Sequence, residues 1–440
     1  MKKLIKGILI AALAVTTALS AFACKKNGDG ESSGGYVDDG KEYTIKMFLY
    51  YNNGADATGV RAVQSELNKI LKEEINATID LQVVRKENYT TVVSEAIANN
   101  EKFDICYTSP DVNPYVTNVK REAFLPLDEL LDTYAPATKA NISSAIWEQA
   151  RINGKIYGVV NEQIFPRAYA WKATADGGEA NLKEFLAKRY DGVNLDEIYK
   201  LDTLSDGVTE YTPFAFMEEY LQYLKDGGKG NSGKVEKVEI APALLAWYGY
   251  DDLGTGLNVP GAVKITDGKY EVVNQFATSD FDELIDTIYR WSKKGFLDEE
   301  APRFDLIPDS TWKPGYLSDR IMKLGESRYF SSYVIGSMNA ISATSENPAR
   351  AMKFLELLST NEKVHNLLQF GVEGVSYVKD ENNPKRIKSF IASGGYDNRE
   401  FGWGLGTEFI SYLVPGQDDD NWAKVKKIND ETPMSKLIGF

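Results

Sequence analysis

The chain has 440 residues, 43% hydrophobic and 26% charged, with 50 Lys and Arg against 64 Asp and Glu and a formal net charge of −14. Setting aside the first 40 or so, about 400 residues remain, too many for one ordinary core, so two lobes or domains are expected. An acidic chain without a basic stripe repels phosphate backbones and argues against nucleic acid as a partner, while two cysteines and one histidine leave no material for a disulfide framework or a histidine-rich zinc site.

The chain opens with Lys2, Lys3 and Lys6, then an apolar run from Gly7 to Ala23. This is the pattern of an export signal, residues 1–23, too short and wrongly flanked for a membrane span. Ala21-Phe22-Ala23-Cys24 resembles the bacterial lipobox, whose cysteine thiol is lipidated after cleavage; the alternative is plain secretion, with Cys24 a chance cysteine beside the cleavage site. Lys25–Gly40 is rich in Gly, Ser, Lys and Asp and has almost nothing to bury, so residues 24–42 read as a flexible tether.

Tyr43–Tyr51 is a β-rich apolar run, and Val60, Val63, Leu67, Ile70, Leu71 and Ile75 then recur at helical spacing. Ile79, Leu81 and Val83 alternate as a strand, Val92, Val93, Ala96 and Ile97 mark a second helix, and Phe103–Tyr107 a third strand in which Cys106 reads as a small core hydrophobe. This βαβαβ run predicts a parallel sheet with helices on both faces, and in such sheets ligands bind at the carboxyl ends of strands. Those ends are Tyr50-Tyr51-Asn52-Asn53-Gly54 and Thr108-Ser109-Pro110-Asp111. Further on, Lys155–Val160 reads as a strand, Phe214–Leu224 as a helix, Gly227–Gly233 as a loop, Val235–Tyr248 as extended, Phe281–Trp291 as a helix and Ser332–Ser342 as strand-like. Asn347 suits a helix N-cap and Pro348 the first helical position, with Met352, Leu355 and Leu358 as the buried stripe.

Motifs with catalytic overtones are weak. Gly228-Lys229-Gly230-Asn231-Ser232-Gly233-Lys234 approaches a phosphate loop but is followed by Val235, where a Mg²⁺-binding hydroxyl belongs. Gly402-Trp403-Gly404-Leu405-Gly406 does not complete a dinucleotide fingerprint and reads either as a ligand-side turn carrying Trp403 or as a packing turn. His365, on a charged helix between Lys363 and Leu367, is expected at the surface, and no nucleophile elbow accompanies it. Asp418-Asp419-Asp420 lacks calcium-loop spacing and reads as acids ahead of a helix at Trp422–Ile428. The aromatics carry more. Tyr51, Tyr107, Trp171, Trp247, Tyr248 and Trp403 fall at expected strand ends or loops, where flat rings cover the apolar faces of sugars; core packing is the alternative for each one singly.

Export signal, cysteine, tether and a large α/β body together resemble the solute-binding lipoproteins of ABC importers, in particular the family 1, sugar-type branch and its LplA-like members. Asn153-Gly154-Lys155-Ile156-Tyr157-Gly158-Val159 is similar to the strand that crosses between lobes, and Asn339–Pro348 with Ala351–Leu355 to the return into the first lobe. Gly371-Val372-Glu373-Gly374 and Phe401-Gly402-Trp403-Gly404 resemble the family's C-terminal segments. The resemblance implies an α/β, two-lobed periplasmic-binding-protein-like fold of the Venus-flytrap kind, with residues 43–158 plus 336–380 as lobe 1 and 159–335 plus 381–440 as lobe 2. Crossings are expected near Gly158–Asn161, Val334–Met338 and after Lys379, and further helices beyond Phe440. It implies a monomeric, extracellular, lipid-anchored receptor without cofactor, metal or catalytic residues, which hands a carbohydrate to permease subunits. Position and residue type nominate Tyr51, Asn52, Ser109 and Asp111 from the first lobe and Trp171 and Trp403 from the second as ligand-binding residues. Two readings stay open beside it: the same fold binding a peptide or other solute, and a secreted glycan-degrading enzyme with a carboxylate pair.

Overall fold

The computed structural model describes residues 36–51, 56–161, 167–172, 181, 184–185, 187–188, 213–227, 235–236, 248–251, 259–266, 268–298, 304–308, 320–328, 334–393, 395–431 and 437. The chain divides into two units, Met1–Val37 and Asp38–Phe440; the description below concerns the second. The export signal, Cys24, Asn52, the glycine loop at 228–234 and Trp247 lie outside the described residues.

Three parallel strands form the heart of the unit. β1 (Tyr43–Tyr51) is followed by helix α1 (Ala57–Ile75), β2 (Ala77–Arg85), α2 (Lys86–Ala98) and β3 (Ile105–Thr108). β1 pairs with β2 through its whole length and with β3 at Met47 and Phe48. The sequence accounts for this locally. In α1, Val63, Leu67 and Leu71 recur on one buried face, and the Asp56 side chain caps the first turn by accepting from the Gly59 N–H at 2.7 Å. In β1, Ile45, Met47, Leu49 and Tyr51 share one buried face, while Phe48 and Tyr50 lie on the other, under Tyr89 of α2.

Short helices α3 (Tyr115–Lys120), α4 (Asp128–Tyr134), α5 (Pro136–Asn141) and α6 (Ser144–Gln149) lead to the hairpin β4 (Arg151–Ile152) and β5 (Lys155–Ile156), then β6 (Val159–Val160). The expected strand Lys155–Val160 is broken at Tyr157-Gly158, because the Tyr157 N–H turns to the Tyr115 hydroxyl instead of a neighbouring strand. After β7 (Arg167–Lys172) come α7 (Pro213–Asp226), β8 (Val235–Glu236), β9 (Tyr250–Asp251), β10 (Gly261–Thr266), β11 (Lys269–Asn274), α8 (Ser279–Lys294), β12 (Leu297–Asp298), β13 (Phe304–Pro308) and β14 (Arg320–Arg328). β7 is the centre of an antiparallel sheet of order β13-β7-β14, and β9, β10 and β11 form a second antiparallel sheet. Glu218 of α7 holds α8 by accepting from the indole N–H of buried Trp291 and pairing with Arg290 and Lys294.

The chain then returns. A 3-10 turn at Val334–Gly336 precedes β15 (Met338–Ile341), which inserts antiparallel between β3 and β6, so the main sheet reads β2-β1-β3-β15-β6. Of the strand-like stretch expected over Ser332–Ser342, the described residues form a 3-10 turn and then the strand Met338–Ile341. α9 (Pro348–Thr360) begins as its sequence demands, with the Asn347 side chain accepting from the Arg350 N–H and Met352, Leu355 and Leu358 buried. α10 (Glu362–Phe370), the hairpin β16 (Tyr377–Lys379) and β17 (Ile387–Phe390), and α11 (Asn421–Glu431) complete the order.

The last part, 381–440, makes contacts back to earlier elements. Ile387 and Tyr412 pack with Phe370 and Tyr377 in one cluster. The Asp397 N–H donates to the Tyr51 hydroxyl, and the Asn398 N–H to the Gln369 carbonyl of α10. Residues 387–413 therefore lie against β1 and α10. β16 folds back on β17 as a local antiparallel hairpin, apart from the main sheet.

Candidate functional site

The parallel strands β1 and β3 end at one edge of the main sheet, β6 ends there too, and β15 starts there. At that carboxyl edge four aromatics meet. Tyr50 of β1 lies 4.4 Å from Phe401 and 5.4 Å from Tyr107 of β3, centroid to centroid. Trp403 stands edge-on to Phe401 at 4.8 Å and to Tyr107 at 5.8 Å. Tyr107 and Phe401 are buried, whereas Tyr50 and Trp403 are half-buried, so the cluster has an inner packed layer and an outer layer with ring surface left over.

The turn carrying Trp403 is shaped by its glycines. A Cβ on Gly402 would sit 2.0 Å from the Gln369 amide nitrogen, and one on Gly404 would sit 2.0 Å from the Phe401 ring. Gly402 thus lets the 3-10 turn Arg399–Gly404 close against α10, and Gly404 lets it close on its own Phe401, while Trp403 between them is left partly outside. The indole N–H donates to the Glu400 carbonyl at 2.9 Å, which sets the ring's direction. The two readings of this motif therefore meet in one turn: the glycines pack, and Trp403 is left with exposed ring.

Three buried or half-buried polar residues brace the same turn. The Asn161 N–H donates to the Ser337 carbonyl and its side-chain amide to the Ser337 hydroxyl, and its side-chain oxygen accepts from Asn339 and from the Gly406 N–H. Ser337 donates in turn to the Trp403 carbonyl at 2.9 Å, and Asn339 to that of Gly404 at 3.1 Å. Sequence reasoning placed Asn161 in a crossing but did not single out this trio. Asparagine and serine at strand ends are too common to signal it, and their partners lie up to 245 positions away.

The expected site residues fare differently. Trp403 is at the edge and half-buried. Asp111 is exposed on the loop after β3. Ser109 is in that loop too, but it is buried and closes the loop on itself, its hydroxyl accepting from the Val112 N–H and its carbonyl from the Tyr115 N–H. Tyr51 is fully buried, edge-on to Tyr396, with its hydroxyl accepting from Asp397. The neighbour Tyr50 takes the partly exposed place, because alternate strand residues face opposite sides and the Tyr51 side is covered. Trp171 lies on β7 opposite Phe304 and Met322; its side chain is outside the described residues.

His365 corrects the expectation of a surface residue. It is fully buried on α10, with its Nε2 2.9 Å from Gln369 and 2.7 Å from Ser411, and burial lowers its pKa to about 4. Its charged neighbours misled, since the helix turns Lys363 out and His365 in. Cys106 is also fully buried, and burial pushes its thiol up to about 12, far from a reactive thiolate. Asp419 pairs with Arg386 at 2.7 Å just ahead of α11. Among the described residues no group of three or more His, Cys, Asp or Glu is placed to hold a metal, and no helix is long and apolar enough to cross a membrane.

The chain matches no family model. Over 460 residues it is 23% identical to a Streptococcus pneumoniae protein named carbohydrate ABC transporter substrate-binding protein, covering 99% of this chain and 85% of that one. The crystal structure of the N-glycan transport solute binding protein NgtS from Streptococcus pneumoniae aligns with 90% of this chain and 84% of its own, at 20% identity and a TM-score of 0.68. This chain has the two-lobed solute-binding-protein fold. NgtS in complex with Man1GlcNAc aligns over 90% of this chain and 85% of that one at 20% identity, with a TM-score of 0.62. Its Man5GlcNAc complex covers 90% and 84% at the same identity, with a TM-score of 0.59. The aromatic edge described above lies at the carboxyl ends of strands, the position general to ligands of open α/β sheets.

Proposed function

We propose that this chain is an extracellular receptor of an ABC importer. It captures a carbohydrate, an oligosaccharide, at the aromatic edge of the main sheet and delivers it to the permease. The half-exposed Trp403, braced edge-on by Tyr107 and Phe401, carries the reading. A pyranose has an apolar C–H face and a polar rim, so a rigid ring with free surface covers the face while loop groups such as Asp111 and Asn52 take the hydroxyls. Support comes also from the relatives, which are named as a carbohydrate ABC transporter substrate-binding protein and as a solute-binding protein complexed with Man1GlcNAc and Man5GlcNAc. In this reading the lobes divide at the crossings 158–161 and 334–338 and after Lys379, and Trp171 faces the ligand from the second lobe. Ligand favours the closed form only through the extra contacts it makes there. Cys24 carries the lipid that holds the monomer at the outer membrane face, on the tether 24–42.

The test is a thermal-shift screen of the chain without its signal, using oligosaccharides, with peptides, amino acids and metal ions as controls. A ligand at 100 times its dissociation constant adds about 2.7 kcal/mol of stability. A shift from one glycan class, with the glycan recovered intact, is the expected result. A shift from peptides alone overturns the carbohydrate reading, and glycan cleavage overturns the receptor reading.

A further inference from the structure

Asn161 stands 242 positions before Trp403, yet it sits under the same turn. It is 1% exposed and follows β6 directly, in the segment proposed above as the first chain crossing. Its backbone and side chain bond Ser337, on the second crossing, through the Ser337 carbonyl at 3.0 Å and hydroxyl at 2.8 Å. Its side-chain oxygen accepts from the Asn339 amide at 2.8 Å and from the Gly406 N–H at 2.9 Å. Ser337 and Asn339 pass the connection on, donating to the carbonyls of Trp403 and Gly404. One side chain thus bonds Ser337, Asn339 and Gly406 directly and reaches Trp403 through the Ser337 hydroxyl. An asparagine side chain supplies a donor and an acceptor within about 2 Å of each other, which neither Asp nor Leu of similar size reproduces.

We propose that Asn161 is the positioning residue of the carbohydrate site: it fixes the Trp403 turn to both chain crossings, so that the indole keeps the orientation in which its free face meets ligand. Asn161 does not touch ligand in this scheme. It acts through Ser337 and the backbone of Trp403, and buried networks of this kind hold geometry because every member loses its partner together. The proposal rests on the carbohydrate reading for its affinity arm only.

The experiment compares wild type, Asn161→Ala and Ser337→Ala, each with and without Trp403→Phe, so that the Trp403 emission is obtained by difference from the chain's 7 tryptophans. Expected is a longer-wavelength Trp403 emission with easier acrylamide quenching in both variants, and a loss of affinity for the glycan found with wild type of about fivefold or more, within the range of coupled residues. Ser337→Ala keeps the test alive if Asn161→Ala does not fold, since it removes only the hydroxyl link. Unchanged Trp403 emission in the folded variants overturns the tie. Shifted emission with unchanged affinity overturns the positioning role. Should wild type bind no glycan, the carbohydrate reading fails by itself, and the emission arm, which needs no ligand, still decides whether Asn161 holds the turn.

Discussion

Trp403 and Tyr51 show how finely the site depends on single positions. Both were expected at the ligand, yet Tyr51 is sealed against Tyr396 and Trp403 keeps part of its ring free. Trp403→Ala removes the outer ring while its inner braces, Tyr107 and Phe401, stay packed. We expect carbohydrate affinity to fall at least about tenfold, or about 1.4 kcal/mol, with the melting midpoint nearly unmoved; titration calorimetry with the glycan from the screen checks this, and equal affinity removes Trp403 from the site. His365 makes a different prediction. Its folded pKa, about 4, lies below its ordinary 6.5 because burial disfavours the charged form. The unfolded chain therefore binds the proton more readily, so the neutral buried histidine stabilises fully above pH 6.5 and loses that contribution as pH falls toward 4. The loss is at most about 3 kcal/mol. His365→Gln is expected to flatten that part of the stability–pH curve in urea titrations, and an unchanged slope between pH 6.5 and 4 refutes it.

At the scale of elements, α1 is legible and its seat is not. The spacing of Val63, Leu67 and Leu71 and the Asp56 cap describe the helix completely from its own residues. Nothing local says that Gly59 must be glycine. In the fold, a Cβ there would lie 2.3 Å from the Gly395 carbonyl oxygen, and Gly395 itself accepts from the Asp56 N–H. Glycine to alanine inside a helix ordinarily stabilises by about 1 kcal/mol. Here the rigid backbone oxygen cannot move aside cheaply, so Gly59→Ala is expected to destabilise by about 1–3 kcal/mol, read as a lower urea midpoint with unchanged slope; a stabilised variant contradicts the close approach.

On the scale of the molecule, the fold is closed by contacts of great sequence separation. Asp38, at the start of the second unit, pairs with Arg350 of α9 at 2.5 Å and with Lys353 at 2.6 Å. Arg350 is 1% exposed and also donates to the carbonyls of Lys41 and Asn76. Burial alone would raise the Asp38 carboxyl, but the hydrogen bonds from Arg350 and Lys353 more than reverse it and hold it far below the usual carboxylate range. Its stabilisation is present above pH 4 and fades only in strong acid. Asp38→Ala leaves Arg350 buried without its carboxylate, and we expect a loss of about 3 kcal/mol at neutral pH, the low end for breaking a buried pair. Chemical denaturation measures it; a loss under half that size means that the two backbone carbonyls suffice for Arg350. This clasp ties Asp38 and Lys41, within the stretch read as tether, to the returning segment, an arrangement without trace in the local pattern around Asp38.

What the sequence determined by itself was whatever depends on near neighbours: the strands and helices of the βαβαβ run, the Asn347 cap, the acidic character, and a turn with Trp403 between glycines. These follow from periodicity and from backbone groups satisfied within a few residues. Only the tertiary structure decided which of two adjacent tyrosines faces the edge, that His365 is inside, that Asp397 and Asn398 reach the end of β1, and that Asn161 reaches Trp403. Each of these is a choice between equivalent local patterns, settled by burial and by hydrogen-bond partners as far as 348 positions away. Such partners meet only after the chain has paid the entropy of closing the loops between them, so no window of neighbouring residues contains the information.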